Sequence, residues 1–198
     1  MLRRFLIVLG ALAAAAALAS PAFAARVHVR VEGQTQTIYG AAQPVLDVKA
    51  NALDALDAAS LAGEFYYHLQ TASFGTYVDQ IGRYGATASS GWVFKVNGVS
   101  PPVGADHVTL KAGDSVLWYW ATFGPTGGPK TLVLQSTSKG CYRVAAQDDA
   151  GKSLAAAGAV LHVDGRAVKT TKGAACVGRH VGLVRATLAG AVRSNAVR

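Results

Sequence analysis

Residues 116–120, Val-Leu-Trp-Tyr-Trp, limit the possible folds more than any other segment, because this predicted strand is apolar on both sides. Side chains alternate between the two faces of a strand, so Val116, Trp118 and Trp120 share one face and Leu117 and Tyr119 share the other. Such a strand either lies inside a sheet that is covered on both faces, or turns its second face toward a partner. We expect one of Trp118 and Trp120 to be buried and the other to lie near the end of the sheet.

Other segments predict further strands and one helix. Residues 27–31 alternate valine with His28 and Arg30, which predicts a half-buried strand, and residues 34–40 predict its hairpin partner. Leu53 and Leu56 are three residues apart, with aspartates on the other side, and predict a short amphipathic helix. Asn51 or Asp47 is expected to cap this helix, and Gly63 to end it.

Several short strands are expected after the helix. Residues 77–81 and 107–110 each predict a strand, and residues 92–97 alternate so that Trp92 lies on the face opposite Lys95. Asn97-Gly98 predicts a type I′ hairpin turn, since that turn needs positive φ at both central residues.

The chain changes character at residues 124–130, which are rich in proline and glycine and predict a linker. Lysine and arginine number seven against eight acidic residues over 25–130, a net charge of −1, but ten against three over 131–198, a net charge of +7. We therefore expect two domains, residues 26–123 and 131–198. Short runs of β-forming residues, with an Asp164-Gly165 hairpin signal, predict a small all-β sandwich for the second.

The first 24 residues predict a secretory signal peptide. Two arginines precede an apolar run from Phe5 to Ala19, and Ala22 and Ala24 form an Ala-x-Ala cleavage site. An uncleaved membrane anchor is the alternative, although the run is short for the hydrocarbon core of a bilayer. We expect the mature protein to be secreted, with association with the cell surface as the alternative, and to have no transmembrane segment after removal of the signal.

Both cysteines, Cys141 and Cys176, lie in the basic half. In an exported protein an even pair is expected to form a disulfide, and a reactive thiol is the alternative.

Residues 26–123 resemble the transcobalamin-like C-terminal domain family, whose function is otherwise unassigned. The resemblance rests on Gly91-Trp92, Asn97-Gly98, Gly113-Asp114 and the aromatic strand that follows. It implies a β-grasp-like fold, a mixed sheet around one helix, so the expected fold class is α+β. In animal cobalamin carriers this domain caps the ligand against a helical barrel. More weakly, residues 131–198 resemble immunoglobulin-like or carboxypeptidase-regulatory-like modules.

No catalytic motif is evident. The five histidines show no HExxH pattern, and no serine lies in a GxSxG motif. His28 and His162 lie in alternating strands and are expected to face solvent. Asp148-Asp149 predicts a turn, with a calcium site as the alternative. We expect a non-catalytic protein that uses no metal or cofactor.

The aromatic residues are the candidate ligand-binding residues, with packing in the core as the competing interpretation. They are Trp92, Trp118, Tyr119 and Trp120. An exposed pair of such rings suits a flat apolar or sugar-like ligand. The expected partner is a cell-wall polymer, a glycan, a protein or a small hydrophobic ligand, and the alternative function is a corrinoid-like carrier. Nucleic acid is not expected, because Tyr142 is the only aromatic residue among the basic residues of the second half.

Overall fold

The computed structural model describes residues 25–73, 75–125 and 127–198. The predicted signal peptide, residues 1–24, lies outside the described residues. Over the described residues the fold is α+β and mostly β, as predicted, with one α-helix and several small sheets.

The first half of the chain contains eight strands and the helix. These are β1 (Ala25–Glu32), β2 (Thr37–Tyr39), β3 (Val45–Val48), α1 (Ala52–Gly63), β4 (Tyr67–Ala72), β5 (Gly75–Ile81), β6 (Tyr84–Gly85), β7 (Ser90–Val96) and β8 (Ser115–Thr122). The main sheet has the order β2-β1-β8-β7, and β3 also pairs with β1. The central pair, β1 and β8, is parallel, whereas the other pairs of this sheet are antiparallel. This mixed sheet with one helix on one face is the β-grasp-like arrangement that was expected.

Helix α1 covers the inner face of the main sheet. Its Leu56 is fully buried in one hydrophobic cluster with the valines of β1 and with Trp118. Asn51 caps the helix: its side chain accepts from the backbone N–H of Leu53 and Asp54, and the Asp54 carboxylate accepts from the N–H of Asn51 in return. In the described part of the chain, no helix has the length and apolar character that a membrane crossing requires.

One local prediction needs correction. Residues 107–110 form no strand: a 3₁₀ turn, Ala105–His107, is followed by a single bridge between Thr109 and Asn51. The helix ends at Gly63, as predicted, and Glu64 follows it in the left-handed conformation (φ 51°), with its N–H donated to the carbonyl of Ser60. The strand predicted over 77–81 is confirmed within β5, but the sequence did not reveal β4, with which β5 pairs.

The second half of the chain is a small β-sandwich, as predicted. Its strands are β9 (Thr131–Ser138), β10 (Cys141–Gln147), β11 (Ser153–Ala155), β12 (Val160–Val163), β13 (Arg166–Lys169), β14 (Ala174–Cys176) and β15 (Arg185–Thr187). Strand β10 pairs with β9, β11 and β14, while β12 lies between β13 and β15 in a second sheet. Leu134, Tyr142, Val144 and Leu161 are buried between these sheets. The exact domain limits stay a prediction.

The predicted disulfide is confirmed. Cys141 and Cys176 are bonded to each other and occupy facing positions on β10 and β14. The bond therefore links the end of β14 to the start of β10, the central strand of the first sandwich sheet.

The second face of β8 meets the other half of its own chain. Leu117, Tyr119 and Ala121 are buried together with Val192, which follows the last strand of the sandwich. The backbone also joins the two halves, because Ala196 donates its N–H to the Ala41 carbonyl (2.7 Å). Of the two arrangements that the sequence left open, the structure has β8 inside a sheet covered on both faces.

A buried ionic cluster joins the two halves. The Glu32 carboxylate is fully buried and pairs with Arg185 and with Arg193, whose Nε lies 3.2 Å from Oε2. Arg30 lies beside it, with Nη1 3.6 Å from Oε1, and Thr37 donates its hydroxyl to the same carboxylate. Three guanidinium groups thus share one carboxylate, which is the only negative charge in the cluster.

Removal of the disulfide is expected to destabilise the protein substantially. The cysteines are 35 residues apart, and closing a loop of that length contributes about 3–4 kcal/mol on the chain-entropy model. The double variant Cys141→Ala/Cys176→Ala should lose about this much free energy of unfolding in a denaturant titration. Reduction of the wild-type protein should produce the same loss, and the intact mass should rise by two hydrogens. An unchanged midpoint in both experiments would refute the stabilising role of the bond.

Loss of the Glu32 charge is expected to weaken the contact between the halves. Glu32→Gln leaves the buried Arg30 and the half-buried Arg185 and Arg193 without their carboxylate, and breaking a buried ion pair on one side costs about 3–5 kcal/mol. Asp47→Asn is the control, since Asp47 pairs with Arg26 on the surface, where both side chains are mostly exposed. Urea unfolding should separate the two variants clearly; equal stabilities would contradict a structural role for the cluster.

Candidate binding groove at the free edge of strand β7

Strand β7 is the last strand of the main sheet, and its backbone bonds alternate between β8 and the free edge. Val96 exchanges two hydrogen bonds with Val99 across the predicted turn, whereas the Asn97 N–H donates to the Ser115 carbonyl of β8 (2.8 Å). At the other end, the Ser89 carbonyl accepts from Phe123 (2.9 Å). The backbone N–H and C=O groups of odd-numbered residues in β7 therefore bond to β8, and those of even-numbered residues point toward the free edge of the sheet.

Trp92 and Phe94, in the middle of β7, have backbone groups that point toward the free edge. Their N–H and C=O groups have no hydrogen-bond partner among the residues that the structure describes. An edge with free donors and acceptors is a template for another strand. Within the main sheet, this short row is the place where an added strand would find its hydrogen bonds.

A groove follows this edge. It has a volume of about 270 Å³ and is lined by Trp92, Val93, Phe94, Ser100, Pro101, Tyr119, Phe123 and Asp149. A second depression of about 220 Å³ shares Trp92 and Phe123 with it and extends along residues 86–91 toward Val78 of β5. Phe123 lines both the groove and this second depression and is 47% exposed. The edge is thus flanked by apolar side chains along its length.

One end of the groove is polar. Asp149 accepts from the Ser100 hydroxyl (3.2 Å) and lies 3.3 Å from Lys95 Nζ. Lys95 is buried and also donates to the Asp148 carbonyl (2.8 Å), so this loop of the sandwich is held against β7. Burial lowers the pKa of Lys95, and the nearby Asp149 carboxylate offsets part of that shift. For the Tyr119 phenol, burial and then Asp149 raise the pKa, so it stays a neutral donor.

The candidate tryptophans at positions 92 and 118 lie in the core. Trp118 is 2% exposed, stacks on Phe94 with ring centres 5.0 Å apart, and donates its indole N–H to the Ala52 carbonyl. Trp92 is also buried and donates its indole N–H to the Tyr84 carbonyl (2.8 Å). The packing interpretation is confirmed for both. Their assignment to a ligand stays a prediction, and for Trp118 little ring surface is left for it.

Tyr119 and Trp120 lie in different places. Tyr119 is 2% exposed on the face that meets the sandwich, and reaches the groove only at its polar end. Trp120 is half-buried, packs edge-to-face on Trp92 with ring centres 5.6 Å apart, and lines a separate cleft of about 240 Å³ with Arg193. The four predicted ligand-binding residues therefore do not converge on one exposed surface. For Trp118 and Trp120, the expectation of one buried ring and one near the sheet end is confirmed.

The residues that form the outer walls of the groove are not predicted by the sequence patterns. Phe123 precedes the glycine-rich segment and was treated only as a domain boundary, and Ser100 and Pro101 follow the turn. An aromatic residue directly after the last strand of a sheet, where few partners can cover it, was the available signal.

The histidines make structural contacts. His28 is half-buried, contrary to the expectation of a solvent-facing residue, and its Nδ1 bonds to the Gln43 carbonyl (2.9 Å), whereas His162 is exposed as expected. His180 accepts from the Tyr142 hydroxyl at Nε2 (2.6 Å), because its Nδ1 donates to a backbone carbonyl.

Asp148 caps the predicted turn by accepting from the Lys152 N–H (2.8 Å). Over the described ranges, no three histidine, cysteine or acidic side chains cluster as metal ligands would.

Comparison with known proteins finds a family match for one part of the chain. Residues 50–122 match the model of a family described as a domain of unknown function (DUF4430). The matched segment begins at the cap of α1 and includes β7 and β8, the edge strand and its neighbour. None of the curated proteins matches the chain.

Proposed function

We propose that this protein is a secreted, non-catalytic binding protein that recognises an extended segment of a partner polypeptide at the free edge of β7. The observation that carries the proposal is the row of unpartnered backbone groups at Trp92 and Phe94, set in a groove with apolar walls. A peptide strand satisfies such groups directly, and its side chains on alternate sides would enter the flanking depressions.

The chemistry of the edge favours a polypeptide over the other expected partners. A glycan or cell-wall polymer is bound through exposed ring faces and side-chain hydrogen bonds, but Trp92 and Tyr119 are buried and Phe123 is the exposed ring of the groove. Backbone N–H and C=O groups at strand spacing match another backbone. The polar end at Asp149 adds a carboxylate that favours a basic side chain at one end of the peptide.

A corrinoid-like carrier is the second candidate. It is supported by the resemblance of residues 26–123 to the transcobalamin-like C-terminal domain family and by the cleft beside Trp120, whose buried indole N–H has no partner among the described residues. That cleft measures about 240 Å³, below the roughly 300–1,000 Å³ of pockets that enclose drug-sized ligands. A corrinoid would be held mostly outside it, so we rank this function second.

Selected peptides provide the test of edge recognition. Phage-displayed peptides panned on the mature protein should converge on sequences that alternate apolar residues. Phe123→Ala should weaken a selected peptide by about ten-fold or more, as loss of an aromatic contact at the centre of an interface does. Tyr66→Ala is the matched control, since Tyr66 is an exposed ring that does not line the groove.

Hydrogen exchange in the same complex locates the peptide. In the free protein the amides of Val93 and Lys95 should exchange slowly and those of Trp92 and Phe94 faster, because only the former bond to β8. The peptide should protect Trp92 and Phe94. Protection at other residues, or equal losses of affinity in the two variants, would refute the edge site. Quenching of tryptophan fluorescence by a corrinoid, with no peptide selected, would favour the second candidate.

Export is tested separately. Expressed with its leader in a host that has a Sec pathway, the protein should be released from the cytoplasm, and its N-terminal sequence should begin at Ala25, directly after the predicted cleavage site. Replacing Ala22 and Ala24 with leucine should leave an uncleaved precursor. A full-length chain retained in the cytoplasm would contradict secretion.

A further inference from the structure

A small polar cavity lies between the main sheet and the sandwich, away from the β7 groove. Its volume is about 50 Å³, and it is lined by Arg30, Gln43, Lys95, Gly98, Ser115, Leu117, Thr131, Val133 and Gln147. A cavity needs only about 10–15 Å³ of this kind of volume to hold one water molecule. The cavity is therefore large enough for a monatomic anion or a few waters.

Two buried cations flank this cavity. Arg30 on β1 and Lys95 on β7 are both opposite Leu117 of β8, so they lie on either side of the same residue on the same face of the sheet. Arg30 is 3% exposed and Lys95 1%. Burial lowers the pKa of Arg30 to about 10, with Glu32 acting in the opposite direction, so the guanidinium remains charged at neutral pH.

The negative charges nearby are insufficient for these cations. Glu32, the carboxylate beside Arg30, is shared with Arg185 and Arg193. Asp149, which pairs with Lys95, is itself mostly exposed to solvent. A buried charge that lacks a partner is strongly disfavoured. The region between the halves therefore carries an excess of buried positive charge.

One N–H group of the Arg30 guanidinium is left without an acceptor. Arg30 donates Nη1 to the Arg193 carbonyl (2.8 Å), but its buried Nε–H has no hydrogen-bond partner among the described residues. The Ser115 hydroxyl accepts from Gln43 (2.9 Å), which leaves its own proton free to donate into the cavity. Gln43 is held in the left-handed conformation (φ 54°), an arrangement that non-glycine residues keep only where the surroundings enforce it.

We propose that this cavity binds a small inorganic anion of the size of chloride or bromide, held by the Arg30 guanidinium and the Ser115 hydroxyl and attracted by the Lys95 ammonium. The anion would supply the negative charge that Glu32 and Asp149 do not, and would act as a bound link between the two halves of the chain. Larger anions such as gluconate do not fit a cavity of about 50 Å³.

Thermal unfolding in matched salts tests the proposal. At constant ionic strength, replacing sodium gluconate with sodium chloride or bromide should raise the unfolding midpoint by about 5 °C and reach a plateau, because only the folded protein has the site. Arg30→Met should abolish this dependence on halide. Arg26→Met removes the same charge from a side chain that is 74% exposed and should retain it, which separates site binding from general screening.

A bromide-soaked crystal of the wild-type protein provides an answer that does not depend on the folding of the variant. An anomalous peak in the cavity, next to Arg30 Nε, is the expected result. Water density alone at that position would overturn the proposal. Equal midpoints in chloride and gluconate, or a halide effect that persists in Arg30→Met, would overturn it as well.

Discussion

The fold depends on the burial of both faces of β8. Its inner face, with Val116 and Trp118, packs on α1 and the valines of β1, and its outer face, with Leu117 and Tyr119, is sealed by the sandwich. Either half of the chain alone would expose part of these apolar surfaces to water. The two halves are therefore in close contact. The segment that joins them is rich in glycine and proline, although such segments often separate independent domains.

The position of β8 also determines where the protein can bind another chain. Because β8 pairs with β1 on one side and β7 on the other, β7 becomes the edge of the sheet. The Asn97 N–H donates to the Ser115 carbonyl of β8, and the alternation along β7 leaves the backbone groups of Trp92 and Phe94 pointing toward the free edge. Their side chains are anchored in the core, so the free backbone groups are held on a rigid support. A rigid edge reduces the entropy that is lost when a peptide is ordered on it.

Local signals in the sequence predicted the elements that local chemistry determines. Asn51 caps the helix because its side chain reaches the N–H groups two and three residues later, and Asn97-Gly98 and Asp164-Gly165 adopt the positive φ values of hairpin turns. The alternation of apolar and polar residues predicted which side chains of β1 and β7 face the core. The pairing of Cys141 with Cys176 followed from their number and the predicted export.

The sequence could not reveal features that depend on contacts between distant residues. Arg30 and Lys95 occupy the outward positions of alternating strands, a pattern typical of solvated side chains, but the sandwich buries them with partners that lie more than 50 residues away. Tyr119 was a candidate ligand-binding residue for the same reason: it is covered by Val192 and Asp149, which both belong to the second half of the chain. The groove was missed because its walls combine the end of β8 with the residues after a turn.

The contact between the halves is only partly hydrophobic, and this has a consequence for its specificity. Leu117, Tyr119 and Val192 supply apolar burial without direction, whereas Glu32 accepts from arginines that come from two separate places in the second half. A shifted arrangement would leave that carboxylate, or the guanidinium groups, buried without partners, at a cost larger than the net stabilisation from the correct pairs. The ionic groups therefore contribute mainly by excluding other arrangements, and a bound anion beside Arg30 would complete the same set of charges.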